Sequence, residues 1–155
     1  MPSPAPDVVS ALQRSASLHL TAVEHYATLG EHLARWGYAK LGERWRTDAE
    51  EERGHFKAVA ARLEFYDRGV SLQHDPAFWP RHDVPGQLSA SLALETAAAA
   101  AERANIVTSR ANGDEQSALM FAKLLEGSED SIRQLEADLE VIREVGIDNW
   151  LANLI

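Results

Sequence analysis

From Pro6 to Trp36, positions Val9, Leu12, Ala16, His19, Val23, Tyr26, Gly30 and Leu33 follow one another in steps that alternate between three and four. Such a rhythm keeps one side of an α-helix turned toward a partner. The rhythm returns between Tyr38 and Asp67, through Leu41, Trp45, Asp48, Glu52, His55, Val59 and Leu63. A third helix is predicted over 87–111, rich in alanine ("LALETAAAAAERANIV"). A fourth is predicted over 115–144, with Phe121, Leu125, Ser128, Ile132, Leu135, Leu139 and Ile142 along its seam. Nothing alternates with the period of two that a half-buried strand requires, so the fold class is all-α.

The breaks between helices set the topology. Trp36-Gly37 and "ANGDE" around Asn112-Gly113 are short turns, whereas 70–86 ("VSLQHDPAFWPRHDVPG") holds three prolines and no helical period. A connection of that length is a crossover rather than a turn. Gly146 ends the fourth helix, and an apolar tail helix is predicted over 147–155. Short turn, long crossover, short turn makes a four-helix bundle of two antiparallel hairpins, forming a single domain over residues 1–155.

Polar residues on the seams raise the question of chemistry. Glu52 and His55 are three apart and share a helical face. In an antiparallel hairpin, residues are level when their midpoint falls at the turn. The midpoints of His19 with Glu52 and with His55 fall around Trp36-Gly37, and those of Glu95 with Ser128 and Ser131 around Asn112-Gly113. Carboxylates and imidazoles buried on a seam are costly unless paired or metal-bound. A lone seam histidine is more often a hydrogen-bonded core residue than a ligand. Four candidates at one level, His19, Glu52, His55 and Glu95, point instead to a site for one divalent metal ion, iron or zinc above all. His25 and His32 fall off the seam and are expected on the surface. His74 and His82, flanking Phe78 and Trp79 in the crossover, have no metal-binding spacing.

Composition narrows the function classes. The chain has no cysteine, which excludes disulfides, thiolate metal sites and cysteine nucleophiles. A net charge of −9 argues against nucleic acid as a partner, since phosphate binding needs a basic face. No apolar run approaches the ~20 residues of a membrane span. "MPSPAPDVVS" lacks the blocks of a signal peptide, so a cytoplasmic location is expected.

"WGYAKLGERWRTDAEEERGH", "LALE" around Glu95 and the ending "VGIDNWLANLI" together resemble the bacterioferritins, in order and spacing, from "LHLTAVEHY" to the last residue. The resemblance implies a ferritin-like bundle with a short fifth helix, assembled as a 24-subunit cage that stores iron. It also implies a di-iron ferroxidase centre built from one Glu on the first helix, Glu-x-x-His on the second, one Glu on the third and Glu-x-x-His on the fourth. Carried over, Glu52 and His55 match the second helix and Glu95 the third. His19 stands where a Glu belongs, and Ser128 and Ser131 stand where the last Glu-x-x-His belongs. Neighbouring Glu129 and Asp130 cannot substitute, because one residue turns the side chain by about 100°. Tyr26 matches a tyrosine near the family's iron site. The family's haem-ligating methionine is replaced by Arg53, so no haem is expected.

Two readings follow. In one, the chain is a bacterioferritin-like cage subunit with a modified or inactive ferroxidase centre, in a homo-oligomer or beside a ferroxidase-competent partner subunit. In the other, it is a smaller metalloprotein with a mononuclear site and a non-storage role, or a purely structural subunit. The tail favours the first, because a Trp150-Leu151-Leu154-Ile155 face is expected to need an assembly to cover it.

Overall fold

A computed structural model of the chain describes residues 3–73 and 83–155. Among them are five helices and no strand: α1 (Pro6–Arg35), α2 (Ala39–Phe65), α3 (Val84–Ala111), α4 (Glu115–Val145) and α5 (Ile147–Leu151). α1 packs along α2, and α3 along α4. The crossover is described only at its two ends, and His74, Phe78, Trp79 and His82 lie outside the described residues. No described helix is long and apolar enough to cross a membrane.

Local chemistry explains where the helices begin. α3 starts three residues before the pattern indicates, because Asp83 caps it by accepting from the Gly86 amide at 3.1 Å, and Pro85 falls in the first turn. There a proline forfeits no helical hydrogen bond, so a residue that reads as a breaker is an initiator. Asp114 caps α4 in the same way through Ser117, and also takes the Arg62 guanidinium at 2.6 Å, tying the end of α2 to the start of α4. Near the first turn α1 and α2 touch backbone to backbone. A Cβ on Gly42 would come within 2.8 Å of the Gly30 carbonyl oxygen, so an alanine there would push the helices apart.

The core is divided. Tyr26, Leu29, Leu33, Leu41, Trp45, Leu88 and Leu135 form one apolar cluster, while Val8, Leu12, Val59, Leu63, Phe121 and Leu124 form another. Between them, on all four long helices, lies a buried polar layer: Ser15, His19, Glu52, Glu95, Glu102 and Ser128. Each apolar side chain contributes roughly 1.5–3 kcal/mol on burial. The polar layer contributes nothing comparable unless its charges are paired, and an unpaired one is strongly destabilising.

The tail differs from expectation. The helix is confined to Ile147–Leu151, and its apolar face lies on the chain's own bundle. Leu151 is buried, Trp150 and Leu154 are half-buried, and the Lys40 amide donates to the Leu154 carbonyl at 3.2 Å. Only Ile155 of that face is open, at 69 %. The face is covered without a partner, and so carries no argument for assembly.

Candidate metal centre

Glu52 sits between two imidazoles. Its Oε2 lies 2.6 Å from His19 Nδ1, and its Oε1 lies 3.3 Å from His55 Nδ1. His19, Glu52 and His55 each present a ligand atom, all within 4.8 Å of one another. His19 is 1 % exposed, whereas the His55 side chain keeps 22 % of its surface in solvent. His55 can stand there because the residue facing it on α4 is Gly127. A Cβ at that position would meet His55 Cε1 at 3.0 Å and Nε2 at 3.2 Å. His55 Nδ1 is itself buried, and its approach to Glu52 falls short of good hydrogen-bond geometry.

The other face of His19 holds a residue that the sequence pattern did not single out. Nε2 lies 3.1 Å from Oε1 of Glu102, a fully buried carboxylate on α3. Glu102 also accepts from Ser15 Oγ at 2.9 Å and from Asn105 Nδ2 at 3.3 Å. A signal for it exists in the sequence. Glu102 is seven residues after Glu95, as Tyr26 is seven after His19, and α1 and α3 run antiparallel so that His19 meets Glu102 and Tyr26 meets Glu95.

Burial and pairing compete in setting the charges. Burial alone would push His19 down, but hydrogen bonds to Glu102 and Glu52 outweigh it and raise its pKa to about 9. Burial alone would push Glu52 up, yet His19 and then His55 hold it at about 2. With no metal bound, His19 is therefore an imidazolium flanked by two carboxylates.

Glu95 is on the same face but is not part of the three-residue group. It accepts a short hydrogen bond from the Tyr26 hydroxyl, and Tyr26 stacks on Trp45 with ring planes 9° apart. Burial, reinforced by the nearby charge of Glu52, lifts Glu95 to about 7, and burial lifts Tyr26 above its ordinary range.

On α4 the corresponding positions are neutral. Ser128 is 1 % exposed, and its hydroxyl has no hydrogen-bond partner of good geometry among the described residues. Ser131 lines a cavity of about 240 Å³ with Tyr26, Arg44, Asp48 and Asp130. Asp48 is raised to about 6 by its burial. Arg53 is exposed and pairs with Glu50 at 3.3 Å.

The surface expectation for two histidines needs correcting. His25 is 8 % exposed, with Nε2 2.9 Å from Ser91 Oγ on α3, and its burial lowers its pKa to about 4. His32 is half-buried, its ring edge-on to Trp36 at 5.6 Å between centroids. Position 25 is one step off the α1–α2 seam, and α1 uses that flank against α3.

Comparison with known proteins bears on the whole chain. The family model described as a ferritin-like domain matches residues 9–145. A bacterial ferritin of Pseudomonas aeruginosa is 29% identical over 97% of this chain and 97% of its own. A bacterioferritin of Mycobacterium leprae is 25% identical over 97% of this chain and 94% of its own, and one of Brucella melitensis 28% identical over 94% and 90%.

Proposed function

The chain belongs to the ferritin-like domain family, and from that premise we propose that it is an iron-handling, bacterioferritin-like cage subunit whose ferroxidase position holds one divalent ion instead of two. The observation that carries this reading is the gathering of His19, Glu52 and His55 ligand atoms within 4.8 Å, opposite two serines.

The residues do not fit a di-iron pair. Two close cations need bridging carboxylates to offset their charge, and α4 offers hydroxyls at Ser128 and Ser131. Glu95, the remaining carboxylate of the inherited set, is committed to Tyr26 and half-protonated near neutral pH. One ion is a better match, since two imidazoles and a carboxylate form a common mixed set for iron or zinc. Glu95 is the carboxylate of the inherited set left to complete it. When bound, such an ion supplies positive charge and an open coordination position. The chain's own contribution is to hold the donors in a layer closed off by apolar clusters above and below.

The test is iron-dependent oxygen consumption by the purified chain, together with its hydrodynamic size. The reading predicts oxygen uptake far below that of a di-iron ferritin and a particle of cage dimensions. Rapid uptake abolished by Glu95→Ala overturns the modified centre, and a dimer-sized particle favours the smaller metalloprotein.

One observation favours a second reading. Both His19 nitrogens already meet carboxylates, so a proton can stand in for the ion and leave a purely structural subunit. Absence of bound metal in protein purified from cells supports that alternative.

A further inference from the structure

The geometry points to Glu102 as the positioning residue of this centre: it holds a proton on His19 Nε2, so that when an ion displaces the proton between Nδ1 and Glu52 the Nδ1 lone pair is aimed at the ion position between Glu52 and His55. The inference rests on the single-ion reading above and deepens it, by assigning a role to a buried carboxylate that touches no proposed ligand except His19.

His19 turns each of its ring nitrogens toward a carboxylate. Nδ1 and Nε2 point to opposite sides, so the partner of one decides what the other can do. Nδ1 faces the Glu52 carboxylate at 2.6 Å, on the side where His55 also lies. Nε2 faces Glu102 Oε1 at 3.1 Å. A carboxylate oxygen that already receives the Ser15 hydroxyl at 2.9 Å acts toward His19 as an acceptor, so Nε2 donates to it, and it is the Nδ1 proton facing Glu52 that an ion replaces. Asn105 donates to the second oxygen at 3.3 Å and holds the carboxylate in place. Glu102 is 0 % exposed, so water does not compete for the bond.

The arrangement is specific in its parts. Ser15 lies one turn before His19 on α1, and Asn105 one turn after Glu102 on α3, so both donors come from the helices that present the pair. Glu102 lies across the ring from Glu52 and His55, too far round to be a ligand with them. Its place is that of the carboxylate found behind a metal-bound histidine, which orients the ring and raises its basicity, and whose loss costs 10–100-fold in affinity.

The experiment uses the full-length chain stripped of metal and titrated with Co²⁺ alone, followed by its visible absorption, with X-ray absorption at one equivalent of Zn²⁺ to count imidazole ligands. Four proteins are compared: wild type, Glu102→Leu, Glu102→Gln and Glu52→Gln. Glu102→Leu is expected to bind Co²⁺ about 100-fold more weakly and to lose one of two imidazoles from the zinc spectrum. Glu102→Gln, whose amide oxygen still accepts from Nε2 without the charge, should lose about tenfold and keep both imidazoles. Wild-type affinity in Glu102→Leu, with binding abolished in Glu52→Gln, leaves the site standing and overturns the role of Glu102. Tighter binding in Glu102→Leu also overturns it, because Glu102 would then serve the imidazolium that excludes the ion. Should Glu102→Leu fail to fold, wild-type affinity in Glu102→Gln overturns the proposal alone. A wild-type chain that takes up no Co²⁺, or a Glu52→Gln chain that binds as wild type does, removes the underlying site and the inference with it.

Discussion

Where α2 faces the bundle centre it presents Glu52 and His55, joined into a network that runs through His19 on α1 to Glu102 on α3. Where α4 faces the same centre it presents Ser128 and Ser131, one without a hydrogen-bond partner of good geometry among the described residues and the other beside a cavity. The two helices are equivalent in the architecture and opposite in chemistry. The contrast shows how a bundle disposes of buried charge. One half keeps a closed set in which each charge answers another, and the other half is reduced to groups small and neutral enough to need no answer. His19, where the resemblance leads one to expect a Glu, puts an imidazole rather than a second carboxylate beside Glu52.

Several substitutions sharpen or break the contrast. The largest effect is expected from rebuilding the missing half, with Ser128→Glu, Ser131→His and His19→Glu together. Metal content should rise from one ion per chain toward two, and iron-dependent oxygen uptake should become readily measurable. If the triple variant folds yet stays at one ion, the serines are not what limits the site.

Next is Glu52→Ala, which leaves His19 and His55 without their shared carboxylate. Breaking a buried ion pair costs about 3–5 kcal/mol, so denaturant unfolding of the metal-free chain should shift by that order and metal binding should vanish. The same measurement on Ser128→Ala should move by less than about 1 kcal/mol, because the hydroxyl it removes makes no bond of good geometry. Equal losses in the two variants would erase the difference between the hairpins.

A smaller effect is the pH signature of the first hairpin. His19 titrates near 6.5 in the unfolded chain and at about 9 when folded. Its stabilisation is complete below pH 6.5 and is lost as pH rises through 9. Glu95, raised to about 7, and Asp48, raised to about 6, also reduce stability as pH rises, but over the acid side of that range. Thermal unfolding of the metal-free protein should therefore show a decline from pH 7.5 to 9 that His19→Gln lacks. A decline identical in both proteins would remove His19 as its source.

Much of this was legible in the sequence, and what was not has an identifiable cause. The three-four rhythm gives four helices, and the midpoint rule sets His19 level with Glu52 and His55, whose ligand atoms the structure gathers, and Glu95 level with Ser128 and Ser131. That rule works only across a short turn. Glu102 and His25 meet α1 and α3, which no turn connects, so their partners were hidden by the crossover. Pro85 reads as loop because a proline in the first helical turn looks the same in sequence as a breaker. The tail's apolar face was assigned to a neighbour, although Leu41 and Leu88 belong to the cluster of its own bundle against which Trp150 and Leu154 pack.

The central proposal is one divalent ion held by His19, Glu52 and His55, and counting ions tests it most directly. Protein purified from cells in metal-replete medium is assayed for metal per chain, with anomalous diffraction locating what is found. The account predicts one ion per chain, between His19, Glu52 and His55, absent in Glu52→Gln. Two ions per chain at this level, or none, would contradict it.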